Sequence, residues 1–186
     1  MSKKPKNVPF SLLVFKSIKV IACSALFIAL SIICGKYLAI PVGQILRFSF
    51  ENLPIILSGI LFGPLMGAVV GILADLLGCI LVGYAINPMV MAGACSIGVL
   101  SGLVSVAAKR ASLCTRIASA VAASHLVGSV VLKTIGLARW YDFPFVELML
   151  WRLLNYVIIG IVEYLLIYTL LKNKAVKAQI DSILYN

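Results

Sequence analysis

The chain has 186 residues, 62% of them hydrophobic and only 12% charged, with a formal net charge of +10. Soluble domains carry about 25% charged residues, and so few charges cannot cover a water-facing surface. The apolar runs approach the roughly 20 residues that span hydrocarbon, and no period-two alternation suggests a barrel. The composition therefore predicts an all-α integral membrane protein.

In chain order, MSKKPKNVPF opens an expected cytoplasmic segment over residues 1–14, and no small-residue cleavage site follows a short apolar region. Six transmembrane helices are predicted at 15–38, 53–63, 64–84, 89–108, 114–137 and 146–171. Together they form one membrane domain over 15–171, and 172–186 is a cytoplasmic tail. The second and third come from one apolar block, 53–83, too long for a single ordinary helix. LFGPLMG divides it at Gly63-Pro64, where proline removes a donor and disfavours helix at the residue before it. The second helix is then short, about 16 Å at 1.5 Å per residue, and the loop ahead of it should dip into protein rather than lipid.

Charge asymmetry supports six spans with both termini cytoplasmic. That count places Lys3, Lys4, Lys6, Lys16, Lys19, Lys109, Arg110, Arg116, Lys172, Lys174 and Lys177 on the inner side. With five spans, the Lys109–Arg116 cluster and the C-terminal lysines would fall on opposite sides. The same distribution makes nucleic acid an unsuitable partner, because no aromatic residues interleave with the basic ones. Five cysteines, without a CxxC pair, read as packing residues. One histidine excludes a His-rich metal site, so neither metal nor cofactor is expected. Paired carboxylates and nucleophile–base arrangements are missing from the apolar helices, which argues against an enzyme.

Five cations remain on the outer side: Lys36, Arg47, Lys133, Arg139 and Arg152. Charges within or against a span are costly and usually functional. His125, Ser129 and Lys133 follow each other at i, i+4 and i+8, one stripe on helix five. Arg152, Asn155 and Tyr156 share a face of helix six. Arg47, Phe48, Glu51 and Asn52 enter from the stretch RFSFENLP, Tyr84 and Asn87 from the turn after helix three, and Trp140 from near the outer end of helix five. Trp140, Tyr141 and Trp151 also fit an aromatic belt, and Arg139 fits a lipid-phosphate contact. Asp75 and Glu163 also fit internal polar contacts, and His125 a packing role. The convergence predicts an outward-facing pocket of positive potential with flat walls and amides, suited to an anionic aromatic small molecule. Small residues recur every four positions at Gly59, Gly63, Gly67 and Gly71, and at Ala25 and Ala29, where helices can approach closely.

SALFIALSIICGKYLAIP, RFSFENLPIILSGILFGPLMGAVVGILADLLGCIL and NPMVMAGACSIGVLSG resemble the S component, the substrate-binding subunit, of energy-coupling factor (ECF) vitamin transporters. The resemblance covers residues 20–170, and SFENLPI, HLVGSVVLKTIGL and WRLLNY point to its folate branch. It implies high-affinity capture of folate or reduced folates for ATP-driven uptake across the cell membrane of a prokaryote. Its partners would be a transmembrane coupling subunit, met by Ala22, Ala25 and Ala29, and two cytoplasmic ATPases. The chain carries no phosphate-binding glycine loop with its lysine and is not itself the ATPase. On this reading Arg47, Lys133 and Arg152 meet the anionic parts of folate, while Asn52, Asn87 or Asn155 bond the pterin. Glu51 either accepts from the pterin amino group or holds Arg47. An S component for riboflavin or thiamin is the rival within the family. A proton-driven secondary transporter using Asp75, His125 or Glu163 is the rival outside it.

Overall fold

A computed structural model describes residues 17–42 and 46–185; the expected N-terminal segment 1–14 lies outside them. α1 (Ile18–Tyr37) finishes in a π-helical turn over Ile33–Tyr37. β1 (Ile40–Val42) and β2 (Leu46–Phe48) form a small antiparallel ribbon that pairs Ile40 with Phe48 and Pro41 with Arg47. The remaining elements are α2 (Asn52–Phe62), α3 (Pro64–Val82), α4 (Pro88–Ala107), α5 (Leu113–Tyr141), α6 (Phe145–Lys172) and α7 (Lys174–Tyr185). The middle of α5, His125–Leu132, is wound as a π-helix.

Among the described residues five helices, α1 and α3 to α6, are long and apolar enough to cross a membrane. α2 has 11 residues, about half of the roughly 30 Å hydrocarbon thickness. Large apolar side chains such as Leu26, Leu81, Val146, Leu154 and Ile161 project from the outside of the bundle, as lipid contact requires. The protein is therefore a mostly helical, multi-pass membrane protein.

The break between α2 and α3 has a clear local cause. Gly63 adopts φ 93°, ψ 174°, and Pro64 takes the first position of α3. That backbone region is essentially closed to residues with a Cβ. Gly63→Ala is expected to lower stability by about 1–3 kcal/mol, read as earlier thermal unfolding in detergent. Ligand affinity should stay unchanged, because Gly63 lies at the far end of the bundle from the cavity described below.

α2 and α3 pack against α4 through the predicted small residues. A Cβ on Gly67 would collide with the Gly98 carbonyl, one on Gly71 with the Ala94 carbonyl, and one on Gly59 with Ser101 Oγ. Helices without a hydrophobic drive to associate depend on such close backbone approach. Around this crossing sits the core of Ile55, Ile56, Ile60, Val70, Ile97, Ile117 and Ile167.

The two ends of the bundle differ. At one, Arg116 Nε donates to Ser105 Oγ (2.7 Å), and Ile183 of α7 packs on Val20, Phe62 and Met66. Lys19 Nζ donates to the Ser182 carbonyl at 3.4 Å. The C-terminal segment, expected only as a tail, is thus a helix docked on α1, with Val176 and Ile180 half-buried along the same side. At the other end, the C-terminal ends of α1, α3 and α5 meet the N-terminal parts of α2, α4 and α6 around an open cavity.

Candidate functional site

The cavity encloses about 440 Å³, within the range of roughly 300–1,000 Å³ seen for small-molecule sites. Its charged lining consists of Lys36, Arg47, Lys133 and Arg152 with Glu51 and Asp75; Tyr84, Tyr141, Phe143 and Tyr156 supply rings, and Asn155 an amide.

Lys133, 3% exposed, is delivered to the floor by the stripe it shares with His125 (4%) and Ser129 (0%). The stripe survives the π winding, in which hydrogen bonds reach to i+5. Lys133 Nζ donates to Glu51 Oε1 at 2.7 Å and to Asn52 Oδ1 at 3.3 Å. Glu51 stands just before α2, and its own carbonyl accepts from Ser31 Oγ at 2.6 Å. Burial pushes the Glu51 carboxyl upward, but Lys133, Lys36 and Arg47 outweigh it and hold it at about 2, so it is ionised at neutral pH.

Arg152 donates through Nε and Nη2 to the Ser129 carbonyl (3.3 and 2.9 Å), and its guanidinium lies 5.2 Å from the centre of the Tyr156 ring. Lys36 and Arg47 both approach the Tyr84 ring, at 5.4 and 5.5 Å. Asn155 Nδ2 donates to the Arg47 carbonyl at 3.3 Å, tying α6 to the ribbon. Two acceptors in the lining, Asn155 Oδ1 and Asp75 Oδ2, are buried without a hydrogen-bond partner among the described residues. Among the described residues, Lys133 is the one cation of the four in a salt bridge. The cavity thus carries an excess of positive charge, flat rings and unpaired buried acceptors, the chemistry for an anionic ligand with a donor-rich aromatic ring.

Of the residues expected at the site, Arg47, Glu51, Tyr84, Lys133, Arg152 and Asn155 line this cavity. Phe48, Asn52, Asn87, His125 and Trp140 do not. Arg47 and Phe48 are consecutive on β2, where neighbouring side chains point to opposite faces, so only one of them faces inward. Asn52 is fully buried behind the floor, donating to Ser129 Oγ at 3.3 Å. Asn87 caps α4, accepting from the Met89 and Val90 N–H groups and donating to the Gly136 carbonyl at 3.0 Å. Trp140 is 52% exposed on the outer surface. His125 lies eight residues below Lys133, about two turns deeper along the helix, and bonds to Glu163.

Lys36, Asp75, Tyr141, Phe143 and Tyr156 line the cavity as well; the sequence places Lys36 among the outer cations and Tyr156 on the face of Arg152, but gives no such sign for Asp75 or Phe143. Asn87 carried a usable signal, because Asn before Pro at a helix start reads as an N-cap followed by N1 proline. The placement of Lys36 and Asp75 depends on tertiary packing of α1 against α3.

Comparison with known proteins agrees with this architecture. A solved structure of FolT bound with folic acid superposes with a TM-score of 0.67 at 23% identity, over 81% of this chain and 91% of that one. The folate transporter FolT of Clostridium novyi (strain NT) is 36% identical over 63 residues, 34% of this chain; the match spans only 36% of the relative's length. The family model of the ECF transporter substrate-specific component matches residues 19–184. That match takes in nearly all of the chain, and the protein belongs to the family of ECF transporter substrate-specific components.

Proposed function

We propose that the chain captures folate with high affinity and presents it for ATP-driven uptake, as the non-catalytic binding subunit of an ECF complex. The observation that carries this reading is the cavity with four cations, one of them paired to a carboxylate, between aromatic walls. Folate offers two carboxylates, an aminobenzoate plate and a pterin whose amino and ring N–H groups are donors. The carboxylates suit Arg47, which is exposed, together with Lys133 and Arg152, and Lys36 adds to the positive field. The pterin's donor edge suits the oxygens of Asp75 and Asn155, unpaired among the described residues, and Tyr84, Tyr141 and Phe143 offer flat apolar walls. Riboflavin is uncharged and thiamin is a cation, so neither would use the excess positive charge. The two FolT relatives, one described as a folate transporter and the other as bound with folic acid, support the same choice.

In the cell the domain over residues 15–171 would lie in a prokaryotic plasma membrane, with six membrane-inserted helices, both termini cytoplasmic and the cavity facing out. Lys109, Arg110 and Lys172, all exposed at the opposite end, support that orientation. A coupling subunit would dock on Ala22, Ala25 and Ala29, which are exposed along α1, and two cytoplasmic ATPases would complete the complex. Widening that ridge with Ala25→Trp and Ala29→Trp is expected to leave folate binding within twofold and to abolish complex assembly, read by co-purification of the coupling subunit. Transport itself is tested in liposomes. Folate should accumulate only when the coupling subunit, the ATPases and ATP are present; accumulation by the chain alone, driven by a proton gradient, would overturn the reading.

A further inference from the structure

Behind the cavity lies a carboxylate that the proposed function does not use. Glu163 of α6 is 0% exposed, and its Oε1 has no hydrogen-bond partner among the described residues. Its Oε2 lies 2.7 Å from Nε2 of His125, which is 4% exposed. A carboxylate buried at this depth in a membrane helix is expensive unless it is paired and has a task.

Two routes lead from this pair to the cavity. One is a chain of side-chain hydrogen bonds. His125 Nδ1 meets Ser129 Oγ at 3.2 Å, Asn52 Nδ2 donates to the same Oγ at 3.3 Å, and Asn52 Oδ1 accepts from Lys133 Nζ at 3.3 Å. Lys133 then pairs with Glu51 in the cavity. The other route is packing: the His125 ring stacks on Tyr156 at 5.1 Å with 27° between planes, and Tyr156 carries Arg152 on its ring. Both routes end on cationic side chains of the lining, and every intermediate side chain is buried or half-buried. Hydrogen-bond chains in such a low-dielectric setting polarise one another and rigidify the groups they join.

We infer that Glu163 and His125 are positioning residues that set ligand affinity from behind the cavity, by fixing Ser129 and Asn52 on one side and Tyr156 on the other. Glu163 orients the imidazole, and the imidazole's other nitrogen orients the Ser129 hydroxyl. That hydroxyl and Lys133 share the two ends of one Asn52 amide, so the position of the ammonium depends on the whole series. The charged and titratable groups around the pair are Lys133 on α5, Arg152 and Tyr156 on α6, Glu51 before α2 and Cys34 on α1. Ligand affinity should therefore depend on the integrity of the pair, although neither member lines the cavity.

This inference rests on the folate reading, and the chain's single histidine separates the two. The full chain, Glu163→Gln and Ser129→Ala are titrated with folate from pH 5.5 to 8.5 in detergent, while the imidazole nitrogen resonances are followed. Glu163→Gln should weaken folate binding about tenfold or more and displace the pH profile of Kd, and Ser129→Ala should weaken it while the ring stays paired to Glu163. Folate should shift the His125 resonances in the unaltered chain. Binding within twofold of the unaltered chain at every pH, in both variants, would overturn the inference and leave the folate reading standing. If Glu163→Gln does not fold, Ser129→Ala decides alone. If the unaltered chain binds no folate, the folate reading falls by itself. The ligand-free resonance of His125 Nδ1 then decides: a shift on Asn52→Ala supports the coupling, and no shift overturns it.

Discussion

Replacing Arg152 with alanine is expected to weaken folate binding by about 2 kcal/mol or more, roughly 30-fold in Kd, when titrated against the purified chain. Arg152 is 8% exposed, has no carboxylate partner among the described residues, and is held by the Ser129 carbonyl and the Tyr156 ring. Its charge is therefore desolvated and oriented before any ligand arrives, so the cost of ordering it has been met by the fold. A ligand carboxylate reaching it gains a charge-assisted bond in a low dielectric. Arg152→Lys should recover only part of the loss, because an ammonium cannot hold the Ser129 carbonyl with a planar fork and also cover the ring. Unchanged affinity in Arg152→Ala would remove this residue from the site.

The second large effect is expected at Lys133. Lys133→Met should lower stability by about 1–2 kcal/mol, because removing the buried partner of a half-buried pair strands the other charge with only part of its hydration. The stranded groups would be Glu51, ionised in the intact protein, and the Asn52 amide behind it. Folate binding should fall in the same variant. Adding Glu51→Gln should restore most of the thermal stability, since the unpaired charge is gone, but not the binding. Such non-additivity is the signature of two groups in direct contact. If the single and double variants unfold at the same temperature, the Lys133–Glu51 pair contributes nothing of that kind.

The sequence revealed the helices far better than the cavity, for physical reasons. Hydropathy and the Gly63-Pro64 break are one-dimensional signals, and they place α2, α3, α4 and α6 within a few residues of their observed limits. Helical spacing correctly grouped Arg152, Asn155 and Tyr156, because residues three and four apart must share a face. It also sets Lys133 nearer the outer end and His125 nearer the middle, but not how far down the cavity reaches: of the two, only Lys133 lines it. The ribbon of β1 and β2 stands where the sequence predicts an inward-dipping loop, since three-residue strands have too little alternation to recognise. It explains why Arg47 and Phe48 part company. Lys36 and Asp75 come together only because α1 packs along α3, a fact with no local signature. RFSFENLP itself divides: Arg47 and Glu51 face the cavity, Asn52 braces its floor, and Phe48 lies outside the lining.

Capture of folate by the chain is tested most directly by a folate titration of the detergent-purified protein without partners, repeated with excess riboflavin and with excess thiamin. The expected result is saturable binding of one folate per chain that neither competitor displaces. A folded sample that binds no folate, or one from which riboflavin or thiamin displaces it, would contradict folate capture.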